Sequence, residues 1–226
     1  MKTVAFALLV VLVCGLSAFA SDCIVTSYDQ YIGGSCGIDN KTFSNFTYST
    51  AGSNHMNASD ITVTPITTQY NTGFQFIAPW NASSGQTQQS LIGYTATDNG
   101  GPLIKDLSLL MIGAATLGNA QVAVAETYCA GDTFANLCAN GTEGTLLTIL
   151  NSNTSLLSAS VNFDNPVSVV DVYANVEMLG GSDNNSTALL GGLQNQFSEV
   201  PEPGSLVLFG SGIAGLAGVL RRYVKL

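Results

Sequence analysis

Positive charge is what this chain has least of. Six Lys and Arg stand against fifteen Asp and Glu, a formal net charge of -9. Between Ser21 and Glu199 the only cations are Lys41 and Lys105. A body so balanced repels phosphate backbones, which excludes nucleic acid as a partner. Histidine is nearly absent: His55 stands alone, so any Ser-His-Asp arrangement would have to use it. There is one tryptophan, Trp80. Charged residues make up only 9% of the chain. The body also lacks any long stretch with the apolar period of a helix, which argues against a helical bundle.

What is present is alternation. "TFSNFTYS" from Thr42, "ITVTPI" from Ile61, "GFQFIAPW" from Gly73 and "LIGYTAT" from Leu91 alternate apolar and polar residues. "LSLLMIGAA" from Leu107, "AQVAVAETYC" from Ala120, "TLLTIL" from Thr145, "SASVNF" from Ser158 and "VSVVDVYANVEML" from Val167 are more continuously apolar. Turn residues separate them, among them Asn81–Gly85, Asp98–Pro102, Asn165-Pro166 and Gly180–Asn184. About nine or ten short strands at such spacing predict an all-β fold, an antiparallel β-sandwich of jelly-roll or immunoglobulin-like type over residues 21–198. The best helix candidate, Ser186–Phe197, contains Gly191 and Gly192, each costing about 1 kcal/mol in a helix interior. A final strand with a loop is expected there instead.

The first twenty residues carry Lys2, an apolar run from Val4 to Leu16 and then Ala18-Phe19-Ala20. That pattern predicts a signal peptide over 1–20, cleaved after Ala20 by signal peptidase, with Ala18 and Ala20 as the small residues it needs. The rival, an uncleaved anchor, is disfavoured because the run is short for a bilayer span. An exported chain with an even number of cysteines after Cys14 is removed points to disulfides. Cys23, Cys36, Cys129 and Cys138 fall into two local pairs, so Cys23–Cys36 and Cys129–Cys138 are expected. Each should stabilise by about 2.5–3 kcal/mol in the chain-entropy model. Their spacing does not suit zinc, and no metal or cofactor is expected.

The other end is built differently. Gly204–Leu220 holds no charge, and as a helix its length of about 25 Å sits at the short end of bilayer spans. Arg221, Arg222 and Lys225 follow, and the positive-inside rule places them in the cytoplasm. Before the run, Pro201 and Pro203 fix an extended, exposed approach around Glu202. "VPEPGSLVLFGSGIAGLAGVLRRYVKL", residues 200–226, resembles the PEP-CTERM sorting signal of Gram-negative bacteria. The resemblance implies that Pro201, Glu202 and Pro203 are a recognition motif and that the basic residues are a membrane stop. It also implies processing by exosortase, a membrane protease or transpeptidase, often alongside exopolysaccharide production. The domain organisation expected is thus 1–20 signal peptide, 21–198 exported sandwich and 199–226 sorting signal. The partners expected are the secretion machinery, exosortase, transiently the inner membrane, and exopolysaccharide. Delivery would be to the cell surface or beyond.

Chemistry is harder to find. "GGSCG" at Gly33–Gly37 matches the Gly-x-Ser-x-Gly elbow, but a disulfide cysteine and the lack of a following helix count against it. Asp98, Asp106, Glu126, Asp164, Asp171 and Glu177 are too scattered to nominate an acid/base pair. "TDNGG" at Thr97–Gly101 and "SDNNS" at Ser182–Ser186 offer oxygen ligands for calcium, though Asx-turns explain both. Trp80 is the one candidate sugar contact, against the alternative of a core residue near a strand end. A structural, non-enzymatic surface or matrix protein is the function expected. A carbohydrate-binding module is the alternative, and a secreted hydrolase comes last.

Overall fold

The structure is a computed structural model and describes residues 21–68 and 71–199. The expected signal peptide with Ala18 and Ala20, and the residues Pro201, Glu202, Pro203, Arg221, Arg222 and Lys225, lie outside the described residues. Successive side chains on a strand point to opposite faces, so alternation decides which residues meet the other sheet. Fourteen strands result among the described residues. They are β1 (Thr26–Ser27), β2 (Cys36–Ile38), β3 (Lys41–Gly52), β4 (Thr62–Thr67), β5 (Asn71–Ser83), β6 (Thr87–Asp98) and β7 (Ile104–Ile112). The rest are β8 (Ala115–Leu117), β9 (Gln121–Ala130), β10 (Thr142–Leu150), β11 (Ser155–Leu156), β12 (Ser158–Val167), β13 (Val169–Leu179) and β14 (Thr187–Glu199).

They form an antiparallel two-sheet sandwich. One sheet runs β1-β4-β5-β14-β7-β12, with β8 also on β14; the other runs β11-β10-β9-β13-β6-β3-β2. The chain changes sheet repeatedly, at β1–β2, β3–β4, β5–β6, β6–β7, β8–β9, β11–β12, β12–β13 and β13–β14. On β13 the inward set Val170, Val172, Ala174, Val176 and Met178 is fully buried, which is the alternation of the sequence made visible. The core is aromatic toward one end, where Phe43, Phe46, Phe74, Phe76, Tyr94 and Phe197 interlock at ring-centroid distances of 4.7–6.2 Å. Fully burying each such ring contributes about 1.5–3 kcal/mol.

Three local expectations are corrected. The strand number exceeds nine or ten because β1, β2, β8 and β11 have only two or three residues each, too few to alternate legibly. Asn165-Pro166 is not a turn but the irregular end of β12, whose register shifts between Asn162 and Val167. β12 is an edge strand, where a missing N–H costs no ladder bond. The helix candidate is β14, a central strand rather than a strand with a loop. Leu190 pairs with Trp80 and Gly192 with Ile77, so Ala78 and Pro79 face Gly191 alone. That bulge slips the pattern by one residue, and Ala188, Leu190, Leu193, Asn195 and Phe197 all reach the core.

Candidate functional site

The outer face of the β3/β6/β13 sheet carries a cleft, and a break in alternation builds it. Ser44 pairs with Thr95 and Thr47 with Gly93, so Asn45 and Phe46 together oppose Tyr94. The bulge turns Phe46 into the core and leaves Asn45 exposed at φ 55°, a left-handed conformation that Asn tolerates better than most residues. Beneath it Tyr28, buried from a short 3-10 turn at Tyr28–Gln30, donates its hydroxyl to Gly93 O at 2.8 Å and Thr47 O at 3.2 Å. The bulge is thus pinned from the core side. Burial holds the Tyr28 phenol far above its ordinary pKa.

Gly93 shapes the neighbouring surface. A Cβ there would come within 2.5 Å of both Thr47 Oγ1 and the Tyr173 ring. Its absence leaves the seat on which Tyr173, directly opposite on β13, lays its ring. Phe134 closes on that ring at 5.3 Å.

Phe134 comes from the connection between β9 and β10, which the Cys129–Cys138 disulfide closes at its base. Asp132 organises this loop by accepting from Thr133 N at 2.8 Å, Asn136 Nδ2 at 3.0 Å and Asn140 N at 3.1 Å. Those bonds, that of Asn136 foremost, hold its carboxyl below the ordinary range. The loop then docks on Asp171: Phe134 N donates to Oδ2 at 2.9 Å. Thr95 Oγ1 donates to Asp171 Oδ1 at 2.8 Å and accepts from Asn45 Nδ2 at 3.1 Å. Between this loop and the turn at Gly33–Ser35 lies a cleft of about 470 Å³, with Ser35, Asn45, Thr47, Thr133, Asp171 and Tyr173 on its walls.

The sequence candidates are distributed as follows. Cys23 pairs with Cys36 and Cys129 with Cys138. Trp80 is 1% exposed and donates its indole N–H to Ser90 Oγ at 3.2 Å. It is a core residue with no face for a sugar, a correction that follows from its place on the inward face of β5. Cys36 pairs with Phe43, so Ser35 lies level with the middle of β3, while His55 lies beyond Gly52 at its far end, roughly 25 Å or more away at ~3.3 Å per residue, and they form no elbow site. Asp171 and Glu177 share a face of β13 but stand roughly 20 Å apart, beyond the reach of a glycosidase pair.

Of the two loops considered for calcium, Thr97–Gly101 spends its carboxylate internally, and Ser182–Ser186 is held by Asn119 from the turn before β9. Asp98 accepts from Gly100 N, Gly101 N and Asn40 Nδ2. Asn119 Oδ1, across from Ser182–Ser186, accepts from Ser182 N, Asp183 N and Ser186 Oγ. Among the described residues no group of three or more His, Cys, Asp or Glu could hold a metal ion.

Two buried polar contacts were hidden in the sequence. Asn195 of β14 donates to Glu126 of β9 between the sheets, both side chains fully buried. Lys41, also fully buried, pairs with Glu199 and donates to Pro102 O and Asn40 Oδ1 at 3.3 Å each. Glu199 is the last residue of β14, so this ion pair fastens the end of that strand, two residues before Pro201 in the sequence.

Solved structures similar to the chain include TmCBM61 in complex with beta-1,4-galactotriose, at 8% identity over 67% of this chain and 88% of that one, TM-score 0.31. Others are the family 32 CBM from C. perfringens NanJ in complex with galactose, at 12% identity, 64% and 93% coverage and TM-score 0.23, and a family 11 carbohydrate-binding module from Clostridium thermocellum, at 8% identity, 80% and 100% coverage and TM-score 0.21. These similarities assign no site to this chain. No curated protein matches it. Residues 199–222 match the family model of the PEP-CTERM protein-sorting motif, so the chain carries that sorting motif and begins it on the last residue of β14.

Proposed function

We propose that this is an exported surface or extracellular-matrix protein, sorted by exosortase and associated with exopolysaccharide, whose sandwich does structural rather than catalytic work. In this scheme residues 1–20 are removed by signal peptidase at Ala18-Phe19-Ala20. The segment after Glu199 then holds the chain in the inner membrane until exosortase acts. Pro201, Glu202 and Pro203 are the recognition motif, and Arg221, Arg222 and Lys225 keep the end cytoplasmic. One observation carries the reading: the sorting motif starts at Glu199, where the Lys41 ion pair fixes the end of β14. The two disulfides agree with an oxidising destination.

The test is made in a host with a working exosortase and in the same host without it. The tagged chain should be processed only in the first, and replacing Pro201 and Pro203 by Ala should block processing. A chain that stays full length in the inner membrane, while a known substrate is processed beside it, contradicts the proposal.

A further inference from the structure

We propose that the cleft between Gly33–Ser35 and the β9–β10 loop binds a neutral saccharide, with Tyr173 as the apolar platform and Asn45, Thr133 and Asp171 as the hydrogen-bonding groups. This rests on the proposed exopolysaccharide association and names a site for it. The volume, about 470 Å³, falls within the range of small-ligand sites, about 300–1,000 Å³.

The chemistry of the walls selects the ligand. A sugar ring offers hydroxyls that both donate and accept, and a face of C–H groups. Tyr173 supplies an amphipathic ring, half-buried and fixed over Gly93 with Phe134 beside it. Asn45 uses one N–H on Thr95 and has a carbonyl and a second N–H left to offer, a donor and acceptor side by side. Asp171 receives one bond on each oxygen and keeps lone pairs for a sugar hydroxyl. Each group is held before any ligand arrives: the bulge fixes Asn45, the disulfide-closed loop fixes Thr133, and Thr95 with Phe134 fixes Asp171. Preorganisation of this kind lowers the ordering cost of binding.

Charge narrows the class further. The lining contains one carboxylate and no Lys or Arg. The two cations of the body lie elsewhere, Lys41 paired with Glu199 and Lys105 on the exposed side of β7. Uronates, sulfated sugars and phosphates would be repelled. A peptide is disfavoured because the Asn45 bulge interrupts β3, the strand whose edge an added chain would have to pair with.

The full chain, purified in mild detergent, would be titrated by calorimetry with short neutral gluco-, galacto- and manno-oligosaccharides, with a uronate oligomer and with an unstructured peptide. At least one neutral oligosaccharide should bind. Tyr173→Ala and Asn45→Gly should each weaken it by about tenfold or more, as losses of a central contact do. Asn45→Gly keeps the left-handed backbone and so removes the amide without straining the bulge. Melting curves confirm that each variant is folded. Trp80→Phe should bind as the parent does. Binding of no neutral sugar, tighter binding of the uronate or the peptide, or binding indifferent to both cleft variants overturns the inference. Sorting in the exosortase host is scored separately, so a chain that is sorted but binds no sugar sinks this inference and leaves the proposed function standing.

Discussion

Replacing Glu126 by Gln should remove most of the fall in this domain's stability between about pH 4.5 and about pH 8. Glu126 lies between the sheets with no exposed surface, and burial pushes its carboxyl from the ordinary 4.5 up to about 8, with the Asn195 bond pulling partly back. At neutral pH the folded chain therefore keeps this proton while the unfolded chain has lost it. Because the folded value is the higher one, the native state binds more protons between the two, and stability falls as pH rises from about 4.5 to about 8. Below that window both states are protonated, and above it both are ionised. At ~1.36 kcal/mol per unit the loss across the window is on the order of 5 kcal/mol. A domain of this size holds only about 5–15 kcal/mol in all.

Gln has the same shape, stays neutral, and can exchange two amide bonds with Asn195. Urea unfolding, followed through the fluorescence of the buried Trp80, should give similar stabilities for parent and Glu126→Gln near pH 4.5. Near pH 9 the variant should be more stable by several kcal/mol. Parallel stability curves across that range would refute the reasoning, because they would mean that no proton is held by Glu126 in the fold.

Other perturbations have defined outcomes. Trp80→Ala should destabilise by about 3–5 kcal/mol in the same assay, since it empties a core position and leaves the Ser90 hydroxyl without its donor. Glu199→Gln should cost about 3–5 kcal/mol by stranding Lys41 uncompensated, whereas the double change Lys41→Met, Glu199→Gln should recover most of that loss. Opening the Cys129–Cys138 loop with paired Ser substitutions should cost about 2.5 kcal/mol. Hydrogen exchange at Phe134 N, which now donates to Asp171, should rise with it.

Much of this fold was written in alternation. All nine stretches read as strands became β3 through β7, β9, β10, β12 and β13, because a sandwich buries one face of each and Thr, Val, Tyr and Phe suit that surface. What escaped depended on partners that only folding brings together. A glycine pair in Ser186–Phe197 looks like a broken helix until Ala78 and Pro79 lie opposite Gly191 and form a bulge there.

Trp80 sat near a strand end in the sequence, yet its parity on β5 puts it inward, and parity was the better guide. The cleft left one trace: in "TFSNFTYS" the apolar spacing runs Phe43, Phe46, Tyr48, a slip of one residue that marks the bulge at Asn45. Thr133 and Tyr173 left none, since their meeting with Asn45 is a product of sheet order. The same holds for Lys41 and Glu199, far apart in sequence and joined across the sandwich.

The most direct test of the central claim is the intact mass of the chain recovered from the envelope of an exosortase-bearing host. The account predicts a species that begins at Ser21, carries two disulfides and lacks the apolar and basic residues that follow the Pro-Glu-Pro motif. A recovered chain that still ends at Leu226 with Arg221, Arg222 and Lys225 attached would contradict it.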